Sequence, residues 1–164
     1  MNRPMPSSLR AVVIGLSLAL TGVVTTAHAE PPAAHARDLA QEERNRQIVV
    51  DFYTGVFERH EVAKSSEVLV DSYIQHNPGV PDGKQAFVSY FTELFKKNPA
   101  ARSRIVRSAT SDDLVYLHVH STANDKDLGR AIVDIFRVKD GKIVEHWDVI
   151  QAVPDKARNN NTMF

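Results

Sequence analysis

Asp134 stands in the middle of "AIVDIF", residues 131–136, a stretch whose other members ask to be buried. A carboxylate withdrawn from water without a partner is costly. Its place there suits a group that takes a proton from a carbon acid or hands one over beside an apolar ligand. The alternatives are a structural hydrogen bond, or a two-faced strand that shows Asp134 to solvent. His118 and His120, two apart in "LHVHS", could orient a carbonyl, share a proton with Asp134 or ligate a metal. A metal needs further ligands, and here only His76 or Asp134 could supply them, so no metal and no cofactor is expected. His76 and Asn77 belong to "YIQHNPGVPDGKQAF", Tyr73 to Phe87, where two prolines and two glycines shape a turn. That segment either only redirects the chain, or caps a pocket with a proton carrier and an amide.

These residues must be held by elements, and the apolar spacing changes character along the chain. From Gln41 to Arg59, Ile48, Val49, Phe52, Tyr53, Val56 and Phe57 recur at spacings of three and four, which predicts a long helix with one buried stripe. Residues 61–70 permit a short second helix. "GKQAFVSYFTELFKKNP" predicts a third, with Phe87, Phe91, Leu94 and Phe95 on one face and Pro99 at its end. Beyond it, "RIVRSATS", "LVYLHVHSTA", "GRAIVDIFRVKD" and "GKIVEHWDVIQAV" are rich in β-branched and aromatic residues and are separated by turn signals. Helices first and then an antiparallel meander make an α+β domain.

The turn "KDGK" sets a register. Asp140-Gly141 is a strong two-residue hairpin signal, so Lys139 should face Lys142. Strict alternation then opposes Phe136 to Glu145 and Asp134 to Trp147. It places Ile132, Asp134, Phe136, Trp147 and Val149 on one face, and Val133, Ile135, His146 and Asp148 on the other. If the looser turn "STANDKDLGR" pairs His120 with Asp134, then Tyr116, His118 and His120 join the first face. A histidine, a carboxylate, a phenylalanine and a tryptophan would line one concavity. The opposite face, with Val133, Ile135 and His146, is expected to pack on a second copy as a homodimer.

The ends and the composition bound the rest. Arg3 and Arg10, then "AVVIGLSLALTGVV", then "AHA" at 27–29 follow the basic, apolar, small-residue order of a secretory signal, so residues 1–29 are expected to be removed. The mature chain would be soluble and periplasmic or secreted, with no membrane contact after cleavage. Residues 30–40 read as a linker, 41–153 as the domain, and 154–164 as a polar tail. Cleavage leaves 18 basic against 20 acidic residues, which offers nothing to a nucleic acid. The sequence has no cysteine, which excludes disulfides, thiolate metal sites and a cysteine nucleophile. No serine-hydrolase elbow, phosphate loop or dinucleotide fingerprint occurs.

"YIQHNPGVPDGKQAFVSYF", "IVDIFRVKDGKIVEHWDVIQ" and the ending "NNNTMF" resemble the SnoaL-like polyketide cyclase family, in particular its branch of predicted aldol-condensation proteins. The likeness spans about residues 41 to 164. It implies the cone-shaped fold of the nuclear transport factor 2-like superfamily, with helices packed on a curved antiparallel sheet around a pocket, often as a dimer. It also implies a strand aspartate acting as acid and base with a histidine on the preceding strand; by strand position these are Asp134 and His120. The expected site therefore has Asp134, His120 and His76 as catalytic groups. Tyr73, Asn77, Phe91, His118, Phe136 and Trp147 are expected to bind a small, mostly apolar carbonyl compound. The expected chemistry is cofactor-free aldol condensation, isomerisation or dehydration, and the alternative is a periplasmic binding protein that uses the pocket without catalysis.

Overall fold

The helical stripe read from the spacing of apolar residues becomes α1, Leu39–Phe57, in the computed structural model, which describes residues 36–164. The expected signal segment lies outside the described residues. Asp38 starts α1 by accepting the Gln41 backbone N–H through its side chain at 2.9 Å. Val49, Phe52, Tyr53 and Val56 are buried against the sheet, each removing enough apolar surface to contribute about 1.5–3 kcal/mol. A short α2, Val62–Ser65, and a 3₁₀ turn, Ser66–Val68, follow. The third helix, α3, runs Lys84–Lys97 and turns Phe87 and Phe95 into the core. No described helix is long and apolar enough to cross a membrane.

Five strands make one curved sheet: β1 Leu69–Gln75, β2 Arg102–Ser111, β3 Leu114–Thr122, β4 Arg130–Lys139 and β5 Lys142–Ala152. Their order is β1-β5-β4-β3-β2, with β1 parallel to β5 and every other pair antiparallel. The α+β architecture stands as read, but the sheet is mixed rather than purely antiparallel. The strand β1 lies where a short helix and a loop were expected. "LVDSYIQ" buries only Leu69 and Tyr73, and its hydrogen-bond partner lies some 70 residues away in sequence, so local spacing carries little of its signal.

The hairpin turn is as expected. Asp140 and Gly141 take φ of 51° and 72°, and Lys139 faces Lys142, as a type I′ turn requires. Two features then overturn the expected faces. First, the ladder slips between Arg137 and Val138: Val138 pairs with Ile143 but Arg137 with Glu145, so Val144 is an extra residue on β5. A bulge of one residue reverses every side chain beyond it. Phe136 therefore opposes His146, and Asp134 opposes Asp148. His146 and Asp148 share the inner face with Asp134, while Trp147 turns outward.

Second, Asp134 pairs with Leu117, and His120 pairs with Ala131. The inner residues of β3 are Val115, Leu117 and Val119, each 0% exposed. The histidines at 118 and 120 therefore point to the outer face, against expectation. The reason is energetic: burying three branched apolar side chains is far more favourable than burying two imidazoles that need partners. The outer face proposed to meet a second copy thus carries Val133, Ile135, Trp147 and Val149, and His146 is not on it.

Candidate active site

Between the inner face of the sheet, α1 and α3 lies a cavity of about 450 Å³, within the usual range for small-molecule sites. Its walls are apolar, with Phe57, Phe87, Phe91, Leu94, Ile132 and Phe136 among them, while Asp134, His146, Asp148, Gln75, Asn77, Tyr53 and Tyr73 contribute polar atoms. A second, shallower depression beside α2 and α3 is lined by His60, Lys64, Thr92 and Phe95. There the His60 ring is stacked on Phe95 and its Nε2 sits 2.9 Å from the Ala101 carbonyl, so that imidazole is already occupied.

The polar end of the cavity under the sheet is built by register. Parallel pairing sets Gln75 beside His146, and antiparallel pairing sets His146 beside Phe136 and Asp148 beside Asp134. Gln75 Oε1 accepts the Asn77 backbone N–H at 3.0 Å. A backbone donor needs an acceptor, so the amide oxygen faces this way, and the same oxygen lies 2.7 Å from His146 Nδ1. Nδ1 must therefore carry a proton. The other ring nitrogen, Nε2, is 3.0 Å from Asp134 Oδ1. One further proton is shared across that contact: the pair is either imidazolium with carboxylate, or imidazole with carboxylic acid. Asp134 and His146 are 5% and 7% exposed, so water does not dilute the exchange.

The second carboxylate is also fixed. Asn77 Oδ1 accepts the Gly79 N–H at 2.8 Å, which turns its amide nitrogen to donate to Asp148 Oδ2 at 2.5 Å. The turn in "HNPG" thus orients an amide for the sheet. Two polar atoms remain without a protein partner here, Asp134 Oδ2 and the Tyr73 hydroxyl, both shielded from solvent. Burial, followed by the negative charge of Asp134, holds the Tyr53 phenol well above the usual tyrosine range, and burial with the charges of Asp134 and Asp148 does the same to Tyr73. Both phenols are thus hydrogen-bond donors at any ordinary pH.

Of the expected site residues, Asp134, Tyr73, Asn77, Phe91 and Phe136 line the cavity; His120, His118, His76 and Trp147 do not. His120 Nε2 donates to the Leu128 carbonyl at 2.9 Å, and its ring stacks on Phe164. His118 Nδ1 accepts from Arg107 at 2.9 Å. His76 stacks flat on Trp147, with centroids 4.7 Å apart, and its Nε2 sits 2.9 Å from Glu145. Glu145 is held below the usual carboxylate range by that contact and by Arg137. His146, Asp148 and Gln75 were not among the expected site residues. The signal that could have found them is Arg137: it lies on the outer face, and its ion pair with Glu145 at 2.9 Å needs Glu145 outward too, which sends His146 and Asp148 in.

Asp134, His146 and Asp148 could also hold a metal ion, since each offers a ligand atom and all lie within 4.8 Å of one another. The expected shortage of ligands came from the register that divided these three between two faces.

The family model of the SnoaL-like domain matches residues 49–146. The chain belongs to the SnoaL-like family. Its matched segment contains α1 from Val49 onward, all of β1 to β4, and β5 as far as His146. Solved structures similar to the chain include proteins described as nuclear transport factor 2-like. One is such a protein of unknown function from Mesorhizobium loti, 23% identical over 72% of this chain and 98% of that one, with a TM-score of 0.59. Another is an epoxide hydrolase from M. tuberculosis, 14% identical over 68% of this chain and 85% of that one, with a TM-score of 0.57. A third comes from a soil-derived mobile gene cassette, 19% identical over 67% and 91%, with a TM-score of 0.59. No curated protein is a significant match.

Proposed function

We propose that this SnoaL-like protein binds a small, mostly apolar carbonyl compound and moves a proton at the carbon next to the carbonyl, as in aldol condensation, isomerisation or dehydration. The observation that carries the proposal is the 3.0 Å contact between His146 Nε2 and Asp134 Oδ1, both buried, at the end of an apolar cavity. In the imidazolium–carboxylate form Asp134 is a base, its Oδ2 without a protein partner. It takes the α-proton of the ligand while the Tyr73 hydroxyl donates to the carbonyl oxygen, on which negative charge develops as the enolate forms. The proton on Asp134 then returns to carbon or to the departing oxygen. His146 balances the charge of Asp134 before the transfer and that of the enolate after it, and takes the role that the family resemblance gave to His120. The order of basic, apolar and small residues over 1–29 supports export of this activity.

The test is exchange of α-hydrogen for deuterium in a panel of small ketones and enones, followed by proton NMR. Wild type should exchange at least one compound well above the buffer rate, and Asp134→Asn should lose about 100-fold or more. The fold should survive, because the asparagine amide donates to Nε2 of neutral His146 and leaves its own oxygen where the carboxylate oxygen was. A loss of ligand affinity without any exchange activity in wild type would make the protein a binding protein; unchanged exchange in a folded Asp134→Asn would refute the mechanism.

A further inference from the structure

We propose that the ligand of this cavity carries a carboxylate, which Arg130 holds at the mouth; the proposal rests on the carbonyl-pocket reading above and names the ligand class of that site. Arg130 opens β4 on the same face as Ile132, Asp134 and Phe136, and lines the same cavity. Its guanidinium has no hydrogen bond or ion pair among the described residues, unlike Arg37, Arg46, Arg59 and Arg137, each of which pairs with a glutamate or aspartate.

The acid nearest to it, Asp127, lines the same cavity and lies close enough to feel the Arg130 charge, but both of its oxygens are taken by backbone donors. Asp127 accepts the Ala123 N–H through Oδ2 at 2.7 Å and the Gly129 N–H through Oδ1 at 3.0 Å. The loop end that delivers Arg130 is also tightly built. Gly129 takes a φ of +82°, and a Cβ there would lie 2.3 Å from the Ser121 carbonyl oxygen, so only glycine allows this approach. Arg102 adds a second guanidinium to the cavity lining, though its Nη1 already donates to the Pro99 and Ala101 carbonyls.

The cavity is therefore polarised. Asp134 and Asp148 face each other four residues along the ladder from Arg130, and the Arg130 guanidinium, with no hydrogen-bonded partner, lies at the other end beside the backbone-bound Asp127. An anionic group is repelled from the first and attracted to the second. A ligand with both a carbonyl and a carboxylate enters in one direction only, carbonyl toward Asp134. Arg130 and Asp134 are four residues apart on one strand, a spacing of about 13 Å. Taking that Cα spacing as the scale of the site and allowing about 3 Å for the polar contact at each end, a carbonyl and a carboxylate roughly 7 Å apart mark the centre of the series to be tried. That corresponds to an oxo acid with about six carbon–carbon bonds between the two groups.

Isothermal titration with 7-oxooctanoate and its methyl ester, alongside oxo acids one and two carbons shorter and longer, tests this. Wild type should bind the best acid about ten-fold tighter than its ester, with a preference that shrinks as salt rises. Arg130→Gln should bring the acid down to the level of the ester and leave the ester unchanged. Arg130→Lys should keep part of the preference, because it keeps the charge but loses the fork. Arg130 is exposed, so the melting temperature should not move. Equal binding of acid and ester by wild type, or a preference that survives in Arg130→Gln, overturns the proposal and leaves the carbonyl pocket standing. Binding of neither acids nor esters, together with no exchange of any neutral ketone, removes both.

Discussion

Gln75 decides where the protons of His146 sit, so changing it tests the site without touching the proposed base. Gln75→Met keeps side-chain length and removes the acceptor that serves His146 Nδ1 at 2.7 Å and the Asn77 N–H at 3.0 Å. His146 is 7% exposed, so its orphaned N–H bears the desolvation penalty of a buried donor, while the half-buried Asn77 amide can recover water. Together the loss should be about 2–3 kcal/mol. For a domain of this size that lowers Tm by roughly 6–12 °C. With Nδ1 no longer anchored, the imidazole can flip tautomer and present N–H to Asp134 without a second proton to share, and α-hydrogen exchange should fall about 10- to 100-fold. Gln75→Glu separates the two effects. It keeps both acceptors and adds a negative charge against Nδ1, so the fold should hold while His146 becomes a persistent imidazolium. Nitrogen-15 NMR of the ring reads this directly, since wild type should show a proton on Nδ1 in every protonation state. A neutral wild-type ring with its only proton on Nε2 would refute the argument. So would a Gln75→Met variant that melts with wild type and exchanges at full rate.

Other outcomes follow from other parts of the molecule. Glu42 is held down to about 2 by hydrogen bonds from Arg37 and Thr110, with the Asp112 N–H adding to them; a value lowered by folding gives stability that is complete above the ordinary glutamate range and lost as pH falls through it, so Glu42→Gln should flatten the acid limb of a Tm–pH curve between about pH 4.5 and 2. The outer sheet face exposes Val133 at 41% and Val149 at 70%, and light scattering is expected to show a dimer that Val149→Glu dissociates; a concentration-independent wild-type monomer would count against it. His118→Ala and His120→Ala should leave ligand affinity and exchange within about two-fold of wild type, as side chains outside the cavity, whereas Phe136→Ala should cost about 3–5 kcal/mol of stability by chemical denaturation. Elemental analysis is expected to find less than about one-tenth equivalent of transition metal, because His146 Nε2 is engaged with Asp134 and Asp148 Oδ2 with Asn77.

Much of this protein was legible in its residues. The stripe from Ile48 to Phe57 made α1, the phenylalanines from Phe87 to Phe95 made α3, and Asp140-Gly141 made the hairpin with Lys139 opposite Lys142. Each depends on neighbours within a few positions, where spacing and backbone preference act directly. Asp134 stood out for the same reason, as a charge among Ala, Ile, Val and Phe. Alternation on β3 was legible too: Val115, Leu117 and Val119 against Tyr116, His118 and His120 names the buried set, and only a register guessed across the long turn reversed it. What the tertiary structure alone decided was the company Asp134 keeps. A single extra residue at Val144 turns His146 and Asp148 inward, and a parallel strand some 70 residues upstream brings Gln75 and Asn77 to meet them. Side chains on a strand alternate with a period of two, so a bulge of one residue exchanges the two faces, and no local preference reports whether the ladder slips. That is settled by which face can be buried, and therefore by the whole sheet at once.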